Sequence, residues 1–315
     1  MRRLRRRAPA PAPAAGSHGI RRAAESGRSD VDRYWTSHLV RSEPFATPAD
    51  SERYLEWRFE EYPLFREFTG LYGDHADEVV LDYGCGPGND VVGFALYSGA
   101  RRVIGVDVSP TALELAARRV ALHGIEPGRI ELVLTSDAER ELALQDASVD
   151  YVSCQGVLHH TTDPESILRE LHRVLRPGGT GSVMVYHRDS VWWHLWTAYD
   201  RMIVDGTLAG LDIAEAFRRN TDGPECPISV AYRGEEFVAL CRGTGFEAEF
   251  VGGYLSRHEL ERLDASWAAA IADDRLAAEH RTFLRELTYD VGGRPMHHRV
   301  HAGIGGAYRL RKPGG

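Results

Sequence analysis

Short apolar runs alternate with amphipathic stretches through the middle of the chain. The apolar runs are rich in Val, Ile and Leu and end at Gly, Pro or Asp, which predicts buried β-strands. The stretches between them carry apolar residues at helical spacing, and one begins with Ser109-Pro110, a favourable N-cap followed by a first-turn proline. Strands that alternate with helices predict a parallel sheet covered on both faces. The expected strands are 79–82, 102–106, 130–134, 151–154, 181–185, 245–251 and 302–311, and the expected helices are 90–97, 110–123, 163–174 and 235–242.

The same pattern divides the chain into five regions. Arginine among alanine and proline at the start favours a disordered extension, with a nucleic-acid arm or a transit peptide as the alternatives. Aromatic residues at helical spacing then indicate a helical cap, and a second aromatic helical segment indicates a lid. The regions are 1–28 (disordered extension), 29–75 (N-terminal helical cap), 76–187 (core sheet), 188–231 (lid or substrate insertion) and 232–315 (end of the sheet, with a helical insertion at 256–292).

Composition and charge narrow the class of protein. The 315 residues carry a net charge of −8, which argues against a broad nucleic-acid-binding surface. Lys312 is the only lysine, which excludes a Walker phosphate loop and disfavours a Schiff-base lysine. The four cysteines show no C-x-x-C spacing and indicate reduced thiols in a cytoplasmic protein. No run of about eighteen apolar residues occurs, so no membrane span is expected.

Three glycines at alternate positions follow the first strand. Gly84, Gly86 and Gly88 precede a helix, so backbone N–H groups and the helix N-terminus can face a ligand. Asp107 ends the second strand about twenty residues later, where a carboxylate can bind both hydroxyls of a ribose. A nucleoside cofactor is therefore predicted. Dinucleotide oxidoreductases and S-adenosylmethionine (SAM) methyltransferases share this geometry, and Asp82 before a G-x-G-x-G spacing resembles the methyltransferase form.

Later strand ends extend the resemblance. The third strand ends at Asp137-Ala138, where a carboxylate can accept from the adenine amine and a backbone N–H can donate to the ring; the alternative is a turn residue. Together with segments 157–160 and 173–179, these motifs resemble, in order and spacing, the class I SAM-dependent methyltransferases of the small-molecule type. The resemblance covers about residues 76–187, which would form the SAM-binding core.

The resemblance implies a fold and a cofactor. The fold is α/β: a seven-stranded, mostly parallel Rossmann-like sheet, its last strand antiparallel between the fifth and sixth, with a helical N-terminal cap and two helical insertions. The cofactor is SAM, with S-adenosyl-L-homocysteine (SAH) as product. The resemblance also implies that Asp107 binds the ribose, that Asp137 binds adenine and that Gln155 lies beside the methionine end. Tyr34 joins the set because a cap helix can close aromatic rings over a pocket. The expected cofactor-binding residues are Tyr34, Asp82, Tyr83, Gly84, Cys85, Gly86, Gly88, Asn89, Asp107, Val108, Asp137, Ala138, Gln155 and Gly156.

Two histidines follow the fourth strand, near where the methyl group would lie. Methyl transfer depends on holding the nucleophile in line with the sulfonium in a dry pocket, and a base is needed only for a weakly acidic acceptor such as an alcohol. Because imidazole titrates near neutrality, either histidine can take a hydroxyl proton. We expect His159 to be the base and His160 to act mainly in structure. In the alternative both are structural, and one caps the next helix.

Acceptor contacts are expected after the fifth strand. Trp192 and Trp196 belong to an apolar helical stripe that fits a pocket wall, a dimer face or core packing, so a homodimer is one interpretation. The polar loop that follows contains Asn220 and Asp222. Together with Tyr186, these are the expected substrate-binding residues. The cap and both insertions would enclose a pocket for a small acceptor.

A metal site is not expected. His297 and His301 have the spacing of one helical face, but no acidic partner is near and an extended chain would separate them. The basic cluster around them is interpreted as binding an anionic group of the acceptor or as capping the last strand.

The leading interpretation is a SAM-dependent methyltransferase that acts on an oxygen or nitrogen of a small polar metabolite. Arginine in place of lysine, with abundant Ala and Gly, indicates a GC-rich bacterial genome and a natural-product pathway. One alternative is an RNA or protein methyltransferase tethered by the Arg-rich start; the acidic net charge counts against it. The other is a non-catalytic SAM-fold binding partner, against which the complete set of cofactor positions counts.

Overall fold

The computed structural model describes residues 20–22, 28–139 and 141–314. The strands in these residues are, in chain order, β1 (Ile20–Arg22), β2 (Val79–Tyr83), β3 (Arg102–Asp107), β4 (Ile130–Leu134), β5 (Val149–Gln155), β6 (Leu175–Tyr186), β7 (Glu247–Tyr254), β8 (Thr288–Tyr289), β9 (Pro295–His297), β10 (Val300–His301) and β11 (Gly305–Arg311). The α-helices are α1 (Asp30–Ser37), α2 (Pro48–Glu61), α3 (Phe65–Thr69), α4 (Asn89–Tyr97), α5 (Pro110–Leu122), α6 (Pro164–Val174), α7 (Ile213–Asp222), α8 (Gly234–Gly243), α9 (Arg257–Ala272) and α10 (Ala278–Arg285). Two 3₁₀ turns, Pro127–Arg129 and Leu158–His160, and a helix of π type, Trp192–Val204, complete the set.

Eight of the described strands form one sheet, in the order β1-β4-β3-β2-β5-β6-β11-β7. The pairs from β1 to β6 are parallel, whereas β11 is antiparallel to both β6 and β7. The α/β architecture, the mostly parallel sheet and the place of its last strand are as predicted. The carboxyl ends of the parallel strands meet at one edge of the sheet, where ligands of such folds bind.

Two parts of the topology differ from the prediction. β1 adds an eighth strand, pairing Ile20 with Leu132 and Arg21 with Val133, at residues expected to be disordered. Residues 1–19 and 23–27 of that extension lie outside the described residues. After α9 and α10, a small antiparallel sheet forms from β8, which lies inside the insertion predicted to be helical, and from β9 and β10, which lie at residues 295–301 where no element is predicted. Edge pairing uses backbone groups, so neither feature needs an apolar side-chain pattern that a sequence would reveal.

Both faces of the main sheet are buried. Successive residues of β2 point to opposite sides: Leu81 packs in the apolar layer with α6 and α8, whereas Val80 packs in the layer with α4, α5 and the cap. Burial of one such side chain contributes about 1.5–3 kcal/mol. A strand covered on both faces therefore reads as a continuous apolar run, which is the pattern of residues 79–81.

The second insertion is fastened to the lid region through a buried carboxylate. Glu259 of α9 accepts a hydrogen bond from the backbone N–H of Trp192 at 3.1 Å, at the start of the π-type helix. Burial raises the pKa of Glu259 to about 7.

Among the helices of the described residues, none is both long enough and apolar enough to cross a membrane.

A buried ion pair fastens the cap to the core. Arg58 of α2 pairs with Asp90 in the first turn of α4, and both side chains are largely buried. The Tyr72 hydroxyl donates to Asp90 Oδ1 at 2.7 Å and accepts from Arg58 Nη2 at 3.2 Å. Removing one partner of a buried pair leaves the other charge uncompensated, which costs more than losing an exposed pair.

We expect Asp90→Asn to lower the free energy of unfolding by about 3 kcal/mol, because the Arg58 guanidinium then stays charged in a buried site without its counter-ion. Chemical denaturation followed by circular dichroism measures the loss. The matched control is Asp50→Asn, which removes the exposed ion pair with Arg53 on α2 and should cost less than about 1 kcal/mol. Equal losses in the two variants would contradict this role of the buried pair.

Candidate functional site

A cavity of about 580 Å³ lies at the carboxyl edge of the sheet. Its walls come from the ends of β2, β3, β4, β5 and β6, from α1 of the cap, and from the last residues of α7. This is the edge at which parallel strands present their loops. The cap helix α1 therefore covers a cavity whose floor is the sheet.

The glycine loop after β2 brings backbone close to this cavity. Gly84 and Gly86 line it, and Gly84 has a φ of +76°, which favours glycine. A Cβ at Gly84 would lie 2.2 Å from Cγ2 of Val157, so no side chain fits there. A Cβ at Gly88 would lie 2.8 Å from Cβ of Ala116. Gly88 therefore packs α4 against α5 and does not line the cavity.

Asp107 joins the glycine loop to the end of β3. Its Oδ2 accepts from the backbone N–H of Gly86 at 2.7 Å, and its Oδ1 accepts from Ser109 N–H at 2.8 Å. Burial raises the pKa of Asp107 to about 6, although these hydrogen bonds act in the opposite direction. Each oxygen keeps acceptor capacity, so the carboxylate can bind two ribose hydroxyls.

Asp137 lies at the opposite wall, at the end of the loop after β4. Its Oδ2 accepts from the Thr162 hydroxyl at 2.6 Å and its Oδ1 from Thr162 N–H at 3.1 Å. The N–H of Asp137 donates to Oδ1 of Asp32 at 2.8 Å. Asp32 is a buried residue of α1 that sequence reasoning missed, although Ser29 three residues earlier gives the pattern of a helix N-cap. It ties the cap to the loop expected to hold adenine.

Gln155 ends β5 beside the expected methionine end. Its amide nitrogen donates to the Ser182 carbonyl at 3.0 Å, which fixes the orientation of the side chain. Its Oε1 is buried and has no hydrogen-bond partner among the described residues. A buried carbonyl of this kind needs a donor, and the ammonium group of a bound methionine moiety would supply one.

The structure places nine of the predicted cofactor-binding residues on the cavity wall. The predicted residues that line the cavity are Tyr34, Tyr83, Gly84, Gly86, Asp107, Val108, Asp137, Gln155 and Gly156. The remaining acceptor capacity of the Asp107 oxygens, the missing Cβ at Gly86 and the unpartnered Gln155 carbonyl together fit the ribose and amino acid parts of SAM.

The remaining predicted cofactor residues lie behind the cavity wall. Asp82 is buried under the loop, where burial and, next, the neighbouring Asp90 raise its pKa well above the usual range. The Asn89 side chain accepts from Arg119 Nη1 at 2.9 Å and so serves the packing of α4 on α5. Cys85 and Ala138 also do not line the cavity. A sequence motif specifies positions along the chain but not the direction in which each side chain points, so some residues of the motif lie behind the cavity wall.

His160, which was expected to act mainly in structure, lines the part of the cavity that also contains Tyr186 and Asp222, called the acceptor end below. Its Nδ1 lies 2.8 Å from the Ile228 carbonyl, and a carbonyl only accepts, so Nδ1 carries the proton and Nε2 has the lone pair. Nε2 lies 3.7 Å from Oδ1 of Asp222. Burial lowers the pKa of His160, partly opposed by Asp222, so the ring is neutral at neutral pH.

His159, the expected base, does not line the cavity. Its ring is buried and packs on the Tyr186 ring, with 3.9 Å between centroids. Neither ring nitrogen has a hydrogen-bond partner among the described residues. Burial, followed by the neighbouring His160, lowers the pKa of His159 well below the usual range. Of the two histidines, only His160 therefore lies where it can contact a ligand in the cavity.

Asp222 is the centre of the acceptor end. Its carboxylate accepts from the Tyr186 hydroxyl at 2.8 Å and from the Ser229 hydroxyl at 2.6 Å. The Tyr34 hydroxyl of α1 donates to the Asp222 backbone carbonyl. The predicted contacts Tyr186 and Asp222 thus line the cavity together. Thr221, part of the polar segment predicted to contact the acceptor, and Trp35, whose ring lies 4.7 Å from that of His160, also line the cavity.

Three other predicted acceptor residues do not line the cavity. The Trp192 indole donates to the Thr221 hydroxyl at 2.9 Å, so it acts from behind the wall. Trp196 packs on His258, with 4.5 Å between ring centroids. Asn220 donates to the Thr197 hydroxyl at 3.0 Å. The tryptophan stripe is therefore a packing face of the lid.

Metal-ligand side chains also meet at the acceptor end. His160, Asp222 and Cys226 place potential ligand atoms within 4.8 Å of one another. The His160 nitrogen 4.0 Å from the Cys226 thiol is the one that donates to Ile228, and burial raises the pKa of Cys226 to about 11. A protonated thiol and a donating imidazole nitrogen favour a hydrogen-bonded cluster over a metal centre.

The histidine cluster near the last strand has acidic partners, which corrects the sequence interpretation. His297 Nε2 lies 3.2 Å from Glu286, and His301 Nε2 lies 3.1 Å from Asp290. The cluster lies on the small sheet of β9 and β10, and its residues do not line the cavity. It therefore does not contact the candidate acceptor position.

Comparison of the sequence with known proteins identifies a methyltransferase domain, in agreement with the cavity described above. Residues 81–183 match the family described as Methyltransferase domain. An uncharacterised 37.1 kDa protein of transposon TN4556 from Streptomyces fradiae is 42% identical over 103 residues, 32% of this chain and 28% of that protein. A ubiquinone biosynthesis O-methyltransferase from Proteus mirabilis is 28% identical over 153 residues, 49% of this chain and 58% of that enzyme. This chain therefore matches less than two thirds of the length of either relative.

A solved structure supports the same assignment at the level of fold. A chain from the Haloferax volcanii complex between the Trm112 methyltransferase activator and a methyltransferase has a TM-score of 0.52 and 16% identity, with 91% of this chain and 100% of that chain covered. The matched domain contains the glycine loop, Asp107 and Asp137 that line the cavity. This chain carries a class I SAM-dependent methyltransferase domain.

Proposed function

We propose that the protein transfers a methyl group from SAM to an oxygen or nitrogen of a small polar metabolite. The observation that carries the proposal is one continuous cavity with Asp107 and Asp137 in one part and His160 and Asp222 in another. Such a cavity places a cofactor and an acceptor side by side. Holding both in line is the main contribution that an enzyme makes to this reaction.

Bound SAM supplies an electrophilic methyl group on a sulfonium centre. The residues of this chain orient the reactants and exclude water. Trp35 and Val157 bring apolar surface to the cavity, which keeps a developing charge away from bulk solvent. His160 Nε2, which carries the lone pair, is the group that can take a proton from the acceptor. The base is thus assigned to His160 in place of His159.

A small acceptor is favoured by the way the cavity is covered. α1 lines it and is fastened by two contacts, through Asp32 to the loop after β4 and through Tyr34 to Asp222. A macromolecular acceptor would have to displace this helix. The relative named for ubiquinone biosynthesis supports a small-molecule acceptor. The arginine-rich, lysine-poor composition supports a bacterial natural-product pathway by association only.

The test is to incubate the protein with methyl-labelled SAM and an extract of the source cells, and then to separate products by size. Label in the small-molecule fraction supports the proposal and gives a mass to identify. Label in RNA or protein would contradict it and favour the macromolecular alternative. Absence of label beyond a heat-inactivated control would favour a non-catalytic binding role.

Asp107→Ala should weaken SAH binding about 10- to 100-fold, because it removes charge-assisted hydrogen bonds worth about 1.5–3 kcal/mol. Isothermal titration calorimetry with SAH measures the change. Glu114→Ala, an exposed acidic residue of α5 outside the cavity, is the matched control and should leave the affinity unchanged. Unaltered binding in Asp107→Ala would contradict the assignment of this carboxylate to the ribose.

His160→Gln should lower turnover by about 10²- to 10⁴-fold while SAH affinity changes little, if proton removal limits the reaction. Because burial lowers the pKa of His160, the base stays unprotonated below the usual range, and the acid limb of kcat should fall below about pH 6.5. The profile is recorded at saturating SAM, so that protonation of Asp107 does not enter. His258→Gln, outside the cavity, is the control. An identical acid limb in His160→Gln would exclude His160 as the base.

A further inference from the structure

We infer that the methyl acceptor is the nitrogen of a basic amine, bound as an ammonium group between His160 and Asp222. The inference rests on the proposed function and narrows it. It starts from two hydrogen-bond acceptors that face each other at the end of the cavity. His160 Nε2 carries a lone pair because Nδ1 donates to Ile228, and 3.7 Å away lies Oδ1 of Asp222.

Asp222 Oδ1 already accepts from the Tyr186 hydroxyl at 2.8 Å, but like His160 Nε2 it has a lone pair for a further donor. An alcohol or phenol has one O–H and can satisfy only one of them, whereas a protonated primary amine has three N–H donors and can satisfy both. The other donors to the Asp222 carboxylate are already placed, from Tyr186 and Ser229, and neither bridges to His160. An ammonium group that lies beside both atoms and donates to each therefore fits this pair of acceptors better than a hydroxyl does.

The charge of the cavity points in the same direction. Among the described residues that line it there is no arginine and no lysine, while Asp107, Asp137 and Asp222 are present. Asp107 and Asp137 face the positions assigned to the cofactor, so the Asp222 carboxylate is the acidic group left for the acceptor. The rings of Trp35 and Tyr186 lie beside His160, with centroids 4.7 Å and 5.5 Å from that of the imidazole, and aromatic faces attract cations. An anionic acceptor group would find no positive partner in this wall.

The negative charge of Asp222 also contributes to the raised pKa values of two neighbouring groups. Burial, then Cys226 and Asp222, raise the pKa of Tyr34 to about 12. Burial, then Asp222, raises the pKa of Cys226 to about 11. In both cases the nearby carboxylate favours the protonated form. A ligand cation would be favoured by the same interaction.

The reaction balances without a further reactant. The ammonium gives one proton to His160 Nε2, which leaves a neutral amine and an imidazolium. The nitrogen lone pair then forms the new N–C bond as the S–C bond breaks, with its electron pair staying on sulfur. The positive charge moves from sulfur to nitrogen, towards Asp222, so the carboxylate stabilises charge where it develops. A phenolate in this position would instead meet a like charge.

The experiment extends the labelling of the extract with a chemical test of the small-molecule product. Label that is retained on a cation exchanger at neutral pH and stays non-volatile in hot hydriodic acid is an N-methyl amine, which supports the inference. Label released as volatile methyl iodide is an O-methyl group, and label that flows through the exchanger is not on a basic amine; either result overturns the inference while leaving methyl transfer intact. Label only in macromolecules, or none, overturns the proposed function itself.

A variant pair then tests the role of the carboxylate. The substrate is the unmethylated acceptor, identified from the mass of the labelled product. Asp222→Asn should raise the KM for this acceptor at least about 10-fold and leave SAH affinity within about twofold. Glu225→Gln is the matched control, an exposed acid of the same loop that does not line the cavity, and should change neither.

Two results would overturn the inference at this stage. An unchanged KM in Asp222→Asn would remove the carboxylate from acceptor binding, and a loss of SAH affinity would assign it to the cofactor. If Asp222→Asn fails to fold, as judged by thermal unfolding, Trp35→Leu gives an independent reading. Loss of that ring should raise the same KM for an ammonium acceptor, and an unchanged KM would count against it.

Discussion

The carboxylate of Asp107, held by the N–H groups of Gly86 and Ser109, is the contact on which the cofactor end depends. It joins the loop after β2 to the end of β3 and to the start of α5, so three elements share one anchor. The parallel sheet makes this possible, because it brings the ends of β2 and β3 to the same edge. Buried charge is costly, and here two backbone donors offset part of that cost.

The acceptor end is built on a different principle. Its groups come from segments far apart in the sequence, and Asp222 connects them by accepting from Tyr186 and Ser229 through its side chain and from Tyr34 through its backbone. The sheet supplies only one of these segments directly. The other contacts depend on how α1 and α7 pack over the edge. The order of the strands in the sheet therefore determines where the cofactor-end residues lie, whereas the packing of α1 and α7 over the edge determines where the acceptor-end residues lie.

This difference explains what the sequence could predict. The place of Gly84 and Asp107 at the cavity could be predicted because each ends or follows a strand, and the direction of that strand determines the edge of the sheet at which it lies. His160 lines the cavity and His159 does not, and this difference could not be predicted because successive residues of a 3₁₀ turn point about 120° apart. Asp32 was missed because its hydrogen-bond partner lies 105 residues further along the chain. Local spacing carries no information about such a contact.

The position of β11 has a consequence for how the chain is made. β11 follows every other strand of the main sheet in sequence, yet it lies between β6 and β7. As the chain leaves the ribosome, β7 has no partner in the sheet and one edge of β6 keeps its backbone groups unpaired until β11 emerges. Unpaired strand edges can pair with other chains. Pairing of distant segments is also slow. The main sheet is therefore complete only once β11 has been made, and until then β6 and β7 are open to pairing with other chains.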